Sequence, residues 1–304
     1  MYKHIRSIFF KTINSIFKVF IELFIFDKQI RRIIKGKSAK LYLKKYVKKA
    51  CKITLKPTEE KEKPRIIWQF WEQGWQNAPE IIKTCSASVE KHKNNCEHIY
   101  LDMNNLKEYV DIPDYIYDLK EKGIIKSAHF SDIIRTYLLC KHGGTWVDAT
   151  VLFTDELPEY IIKSDLFVFQ NSLKEDLDGL NMASYFMSAK QNNFIMLCCK
   201  TLFELYWKEN LFLNNYFMFL HGFTMITQAT KENKEAFSKV PFYSFLPVQR
   251  FQSELVDKYC PERFEQIKKI SFAHKLSFKS RVLNKKNKDI ENTFLEKVIN
   301  GELS

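Results

Sequence analysis

The 304-residue chain is short of glycine and proline, with eight of each. That scarcity excludes collagen-like, linker-rich and disordered classes. Seven cysteines, at 51, 85, 96, 140, 198, 199 and 260, form no CxxC pair and no Cys/His metal spacing. Their odd number, without a cleavable signal peptide, predicts free thiols in a reducing compartment, mostly as core residues. Missing too are GxGxxG and GxxxxGK[ST], so the usual dinucleotide and P-loop phosphate cradles are excluded. The GxSxG nucleophile elbow and the HExxH zinc helix are also absent.

What is present is apolar bulk and a lopsided charge. Hydrophobic residues make up 45% of the chain and aromatics 15%, enough for a substantial core. The net charge of +12 lies in the first 52 residues, where 15 Lys/Arg face only Glu22 and Asp27. The body is near neutral, which argues against a nucleic-acid-binding face on the folded domain. Within the arm, Phe9, Phe10, Ile13, Ile16, Phe17, Phe20, Leu23 and Phe24 alternate with Lys11, Ser15, Lys18 and Glu22 at helical spacing. Charges interrupt any run of about 18 apolar residues, so the pattern predicts a surface helix and not a spanning one. Followed by "RRIIKGK" and "KLYLKKYVKKACK", it suits an anionic membrane surface. The competing reading is a helix docked on its own domain with a solvated basic tail.

A hydrophilic break at 56–64 separates arm from body. Strands are expected at 65–71, 97–102, 145–153, 166–170 and 183–189. Helices fall between them, one starting near Ser127 and stopped by Gly143. The alternation predicts an α/β domain with a largely parallel sheet, whose ligands gather at the carboxyl ends of strands. Beyond residue 192 the pattern is mainly helical. The expected segments are an arm (1–55), a body (64–285) and a tail (286–304).

Four clusters bear chemistry. In "SDIIRTYLLCKHGGTWVDAT", Asp132 and Arg135 share a helix face, and Asp148 sits in an apolar strand where a carboxylate requires partners. In "IIWQFWEQGW", Trp68 and Trp71 are three apart and face opposite sides of a strand, so one of them is free to stack a flat base. "AHKLSFKSR" carries His274, Lys275, Lys279 and Arg281, a basic turn or a diphosphate and metal contact. His221, among aromatics, reads as a hydrogen-bonded core residue.

Taken in order, "PRIIWQFWEQGWQNAP", "AHFSDIIRTYLLCKHGGTWVDATV" and "HKLSFK" resemble the capsular polysaccharide synthesis protein family. That family is related to glycosyltransferase family 32 and the wider sugar transferases with a DXD motif. The likeness spans residues 64–280 and leaves the arm outside. It implies a GT-A-type fold: a Rossmann-like nucleotide-sugar domain, mainly helical C-terminal additions and, here, an N-terminal amphipathic helix. It implies transfer from a nucleotide-sugar donor, a UDP-sugar, with Mn²⁺ or Mg²⁺, to a glycan or lipid-linked acceptor, with retention. By resemblance Asp132 and Arg135 touch the donor sugar, and Trp71, with Trp68 second, stacks the base. Asp148 is the first Asp of DXD. The second is replaced by Thr150, a poorer ligand for a hard cation. His274 is similar to the late histidine that completes the metal site, with Asp155 a lesser helper and Lys275 or Lys279 neutralising the diphosphate. The expected location is cytoplasmic, on the inner face of the membrane through residues 1–52, with no nucleic-acid partner. Against this stand two other functions: a disabled nucleotide-sugar or glycan-binding protein of the same fold, and a nucleic-acid-binding protein using the arm.

Overall fold

The computed structural model describes residues 2–57, 63–171, 180–277 and 290–303. Helices α1 (Tyr2–Phe24) and α2 (Lys28–Ile53) form a hairpin. There follow β1 (Ile66–Phe70), α3 (Glu80–Lys91), β2 (Glu97–Leu101), α4 (Leu106–Tyr109), α5 (Asp114–Glu121) and α6 (Ser127–Lys141). Next come β3 (Gly144–Val147), β4 (Val151–Phe153), α7 (Glu159–Lys163), β5 (Leu166–Gln170) and β6 (Met182–Ala189). The remainder is α8 (Phe194–Glu209), α9 (Met218–Thr227), α10 (Lys231–Ser238), α11 (Leu246–Glu254), α12 (Pro261–Ile270), β7 (Ala273–Lys275) and α13 (Phe294–Ile299).

The central sheet has the order β2-β1-β3-β6-β5. β1 runs parallel to β2 and β3, whereas β6 is antiparallel to β3 and β5. The sheet is therefore mixed, not largely parallel. Alternation along the strands sorts two cores. Trp68 and Trp146 face α6 and α8 with Phe130, Leu138 and Phe203, while Ile67 and Val147 face the side of Phe153, Phe167 and Phe186.

The expected strand 145–153 is two strands. β3 stops at Val147, the chain turns through Asp148-Ala149-Thr150 with Val151 N–H donating to Asp148 O (2.9 Å), and β4 leaves the sheet. It pairs antiparallel with β7, with Leu152 opposite His274. The turn lifts the Asp148 carboxylate out of the apolar layer, where it would be costly. Helix α6 begins at Ser127, but Lys126 holds the cap position and no side chain caps it. The helix ends before Gly143, whose φ of +76° closes it, as expected. Gly144 (φ +95°) is required by close approach: a Cβ there would lie 2.8 Å from Ile66 O.

The arm divides in two. Asp27 caps α2, its carboxylate accepting from Gln29 N–H (2.8 Å) and Ile30 N–H (2.9 Å). Gly36, Ala39, Leu43, Tyr46, Val47 and Ala50 then bury one face of α2, which packs on α8 and α9. Leu43, Tyr46, Val47 and Ala50 join the same core as Trp68. The boundary drawn at residue 55 thus cuts through the body, because the lysines of α2 cover only its outer face. Helix α1 lies on the surface. Ser7 Oγ accepts from Leu211 N–H (2.8 Å), Asn14 donates to Asn214 O (3.3 Å), and Ile21 is buried. At about 100° per residue, Ile5, Ile8, Phe9, Ile16, Phe20 and Leu23 fall on the opposite face, all exposed.

Candidate active site

The carboxyl ends of β1, β3 and β5 and the amino end of β6 open on one cavity of about 1060 Å³. Trp71, Asp132, Arg135, Asp148, Thr150 and Lys275 all line it. Each arrives for a local reason. Trp71 is the first residue past β1, Asp148 the first past β3, and Asp132 and Arg135 lie near the middle of α6. Lys275 ends β7, and the β4–β7 ladder sets it opposite Val151.

Asp148 is the hub. Its Oδ1 accepts from Trp146 Nε1 (2.8 Å) and from the Arg135 guanidinium (3.0 Å), and its Oδ2 from Lys275 Nζ (3.1 Å). Burial pushes its carboxyl up, but the Lys275 and Arg135 charges and the Trp146 N–H outweigh that, holding it below the usual carboxylate range. It is an anion at neutral pH, and among the described residues its Oδ2 accepts one side-chain hydrogen bond where Oδ1 accepts two. Lys275 also donates to Thr150 Oγ1.

Arg135 is only 4% exposed and its donors go to protein: Ser131 O and Oγ, Ser184 O (2.5 Å), Asp132 (3.2 Å) and Asp148. Its guanidinium lies 4.9 Å from the centre of the Trp146 ring. It is built as a strut joining α6, β6 and the turn after β3. The third cavity acid, Glu72, pairs with Lys120 (2.5 Å).

Two expected site residues lie elsewhere. Trp68 is buried, its indole donating to Gly143 O (2.8 Å), so it cannot stack a base; strand alternation sends it inward while Trp71 lines the cavity. His274 is fully buried against Phe251, with Nε2 3.1 Å from Thr154 Oγ1, and burial pushes its pKa down to about 4. Neighbours on a strand point opposite ways, so the register that aims Lys275 at Asp148 turns His274 into the core. Asp155 does not line the cavity, and Lys279 and Arg281 lie outside the described residues. Trp146 went unnoticed in the sequence. Its position two residues before Asp148, on the same strand face, was the available signal.

Taken by themselves, the described residues of this cavity do not fit a resident divalent ion. Among the described residues no group of three or more His, Cys, Asp or Glu side chains converges. The ammonium of Lys275 occupies the place between Asp148 and Thr150 where a cation would bind.

The sequence profile of the capsular polysaccharide synthesis proteins matches residues 21–298, taking in α2 as well as the body. No curated protein matches the chain. Among solved structures, the PaToxG glycosyltransferase is similar at 11% identity over 90% of this chain and 96% of that one, with a TM-score of 0.36.

Proposed function

The chain belongs to the capsular polysaccharide synthesis protein family, and from that premise we propose that it is a glycosyltransferase using a nucleotide-sugar donor, a UDP-sugar. The observation that carries this reading is the Asp148–Lys275–Thr150 cluster at the strand ends, in a cavity with Trp71 on its wall. Trp71 stacks the base. The remaining acceptor position on Asp148 takes a ribose or sugar hydroxyl, and Lys275 meets the diphosphate as a fixed positive charge. Arg135 and Trp146 act through Asp148 as positioning residues, and Asp132 faces the donor sugar from α6.

In the reaction the bond from the sugar's anomeric carbon to the diphosphate oxygen breaks, and its electron pair goes to the diphosphate. An acceptor hydroxyl bonds to that carbon and its proton passes to the leaving diphosphate. Among the described residues each acid lining the cavity is held by a cation: Glu72 by Lys120, Asp132 by Arg135, Asp148 by Arg135 and Lys275. A carboxylate so held is a poor general base. That supports retention, which requires no base of the inverting kind. We assign the leaving-group charge to Lys275, not to the Mn²⁺ or Mg²⁺ that the resemblance implies.

The acceptor is a glycan or a lipid-linked glycan, met at a membrane. The exposed apolar face of α1, beside the exposed lysines of α2, suits the surface of an anionic leaflet. Among the described residues no helix is long and apolar enough to cross one. All seven cysteines are free, which supports a cytoplasmic, inner-face location.

The test is release of nucleotide from UDP-, GDP- and CMP-sugars, with EDTA or with Mn²⁺. Release from a UDP-sugar that persists in EDTA and disappears in Lys275→Met is the expected result. Nucleotide binding without release under any condition would favour the disabled binding protein. No nucleotide binding at all would refute both.

A further inference from the structure

Next to the catalytic cavity lies a second one, of about 550 Å³, which the transferase reading does not use. It is enclosed by the carboxyl-terminal half of α1, the first turns of α2 and the segment from Asn215 into α9. Among the described residues five basic side chains line it, Lys18, Lys28, Arg31, Arg32 and Lys35, against a single acid. That acid, Glu22, is shared by Arg31 and Lys35, so among the described residues no acid on these walls is left for the ammonium groups of Lys18 and Lys28. The ammonium of Lys18 reflects this: burial lowers its pKa, and the neighbouring charge of Lys35 lowers it further.

A second observation points into the same space. His221, expected to be a hydrogen-bonded core residue, is 2% exposed and lines this cavity, yet its Nδ1 has no hydrogen-bond partner. A buried ring nitrogen without a partner costs free energy unless a ligand satisfies it. Burial, and then the charges of Lys40 and Arg32, push the imidazole down to about 4, so at neutral pH it is neutral, with one N–H to donate. Concentrated guanidinium and ammonium groups plus a neutral imidazole N–H form the donor set of a phosphate site.

The position of the cavity says where that phosphate comes from. Lys18 lines it from α1, and the next residues of the helix, Val19, Phe20, Leu23 and Phe24, expose the apolar face described above, continued by Phe26. An apolar surface and a basic hollow on the same helix match the two halves of a phosphate-bearing lipid, hydrocarbon and headgroup. The hollow shares Arg32, Tyr216 and Phe217 with the catalytic cavity, so a group held in one abuts the other.

We propose that the hollow between α1, α2 and α9 binds the phosphate or diphosphate headgroup of a membrane lipid. Resting on the transferase reading, the site also seats a lipid-borne acceptor so that the part beyond its phosphate passes Tyr216 into the catalytic cavity.

The experiment uses the full chain and vesicles of phosphatidylcholine with either phosphatidic acid, which presents a phosphomonoester, or phosphatidylglycerol at matched surface charge. Co-sedimentation is expected to be about tenfold tighter on phosphatidic acid, from added charge-assisted hydrogen bonds. In Lys18→Gln/Lys28→Gln, whose substituted residues lie outside the catalytic cavity, that preference is expected to fall to parity. Equal binding of wild type to both vesicles would reduce the hollow to general electrostatics and overturn the proposal. So would a double variant that keeps the preference. Soluble inorganic diphosphate binding as tightly without vesicles would overturn the lipid assignment. Nucleotide release from the donor without vesicles is measured alongside. If wild type releases none, the transferase reading fails while the vesicle result still decides the site.

Discussion

Replacing Lys275 with Met tests the hub of the catalytic cavity by stability and by chemistry. The Lys275–Asp148 pair spans 3.1 Å, with side chains 26% and 23% exposed, so solvent screens it only in part. At an effective dielectric of 20 the gross attraction is about 5 kcal/mol. Desolvation removes much of that, and hydrogen bonds to charged groups contribute about 1.5–3 kcal/mol net. Lys275→Met, similar in length, should therefore lower unfolding free energy by about 1.5–3 kcal/mol at neutral pH. The pH dependence identifies the cause. The folded pKa of Asp148 is depressed, so its contribution is full above the unfolded value and is lost as pH falls through the folded one. Losing the Lys275 charge leaves burial less opposed, so the folded pKa rises. The stability difference between wild type and variant should thus be largest near neutral pH and shrink as pH falls through the depressed folded pKa of Asp148. Urea unfolding across that range measures it. Nucleotide release by the variant should fall about a hundredfold or more, as when a transition-state charge partner is removed. A difference independent of pH, or unchanged release, would refute the reasoning.

Three further outcomes are expected. Leu43→Ala, fully buried in α2, should cost about 2–5 kcal/mol in denaturant unfolding; a change below about 0.5 kcal/mol would show α2 to be a surface arm after all. Phe20→Glu/Phe24→Glu should abolish sedimentation with anionic vesicles and leave the melting temperature nearly unchanged, since both rings are exposed; retained sedimentation would remove α1 from the membrane contact. His274→Phe should cost about 1–3 kcal/mol through the bond lost to Thr154, while nucleotide release assayed at low temperature persists and is as indifferent to Mn²⁺ and EDTA as that of the wild type; a wild-type dependence on Mn²⁺ that this variant loses would return His274 to a metal site.

The sequence made some of this legible. The helical period through α6 placed Asp132 and Arg135 on one face, and the glycines after it marked where β3 begins. What remained hidden was register and partner choice. "TVLF" is as apolar as any continuous strand, and nothing local tells β4 to leave the sheet for a strand more than a hundred residues away. Once that pairing exists it decides between two adjacent residues, sending Lys275 to Asp148 and His274 inward. The lysines of α2 dominated its composition and masked the period of Leu43, Val47 and Ala50. Trp68 and Trp71 were known to face apart, but which one met the cavity depended on which face of the sheet α6 covers.

The partners of α1 outside the hairpin are late arrivals. Ser7 and Asn14 bond to Leu211 and Asn214, about two-thirds of the chain further on, and Arg6 to Glu209. Synthesis runs from the amino terminus at about 5–20 residues per second. For roughly ten to forty seconds the helix exists without the surface it will later lie on. Its apolar side needs no such delay to find a bilayer. On the proposed membrane contact, the order of synthesis lets lipid meet the apolar side of α1 before the α8–α9 region does, so that region would fold down onto a helix already in place.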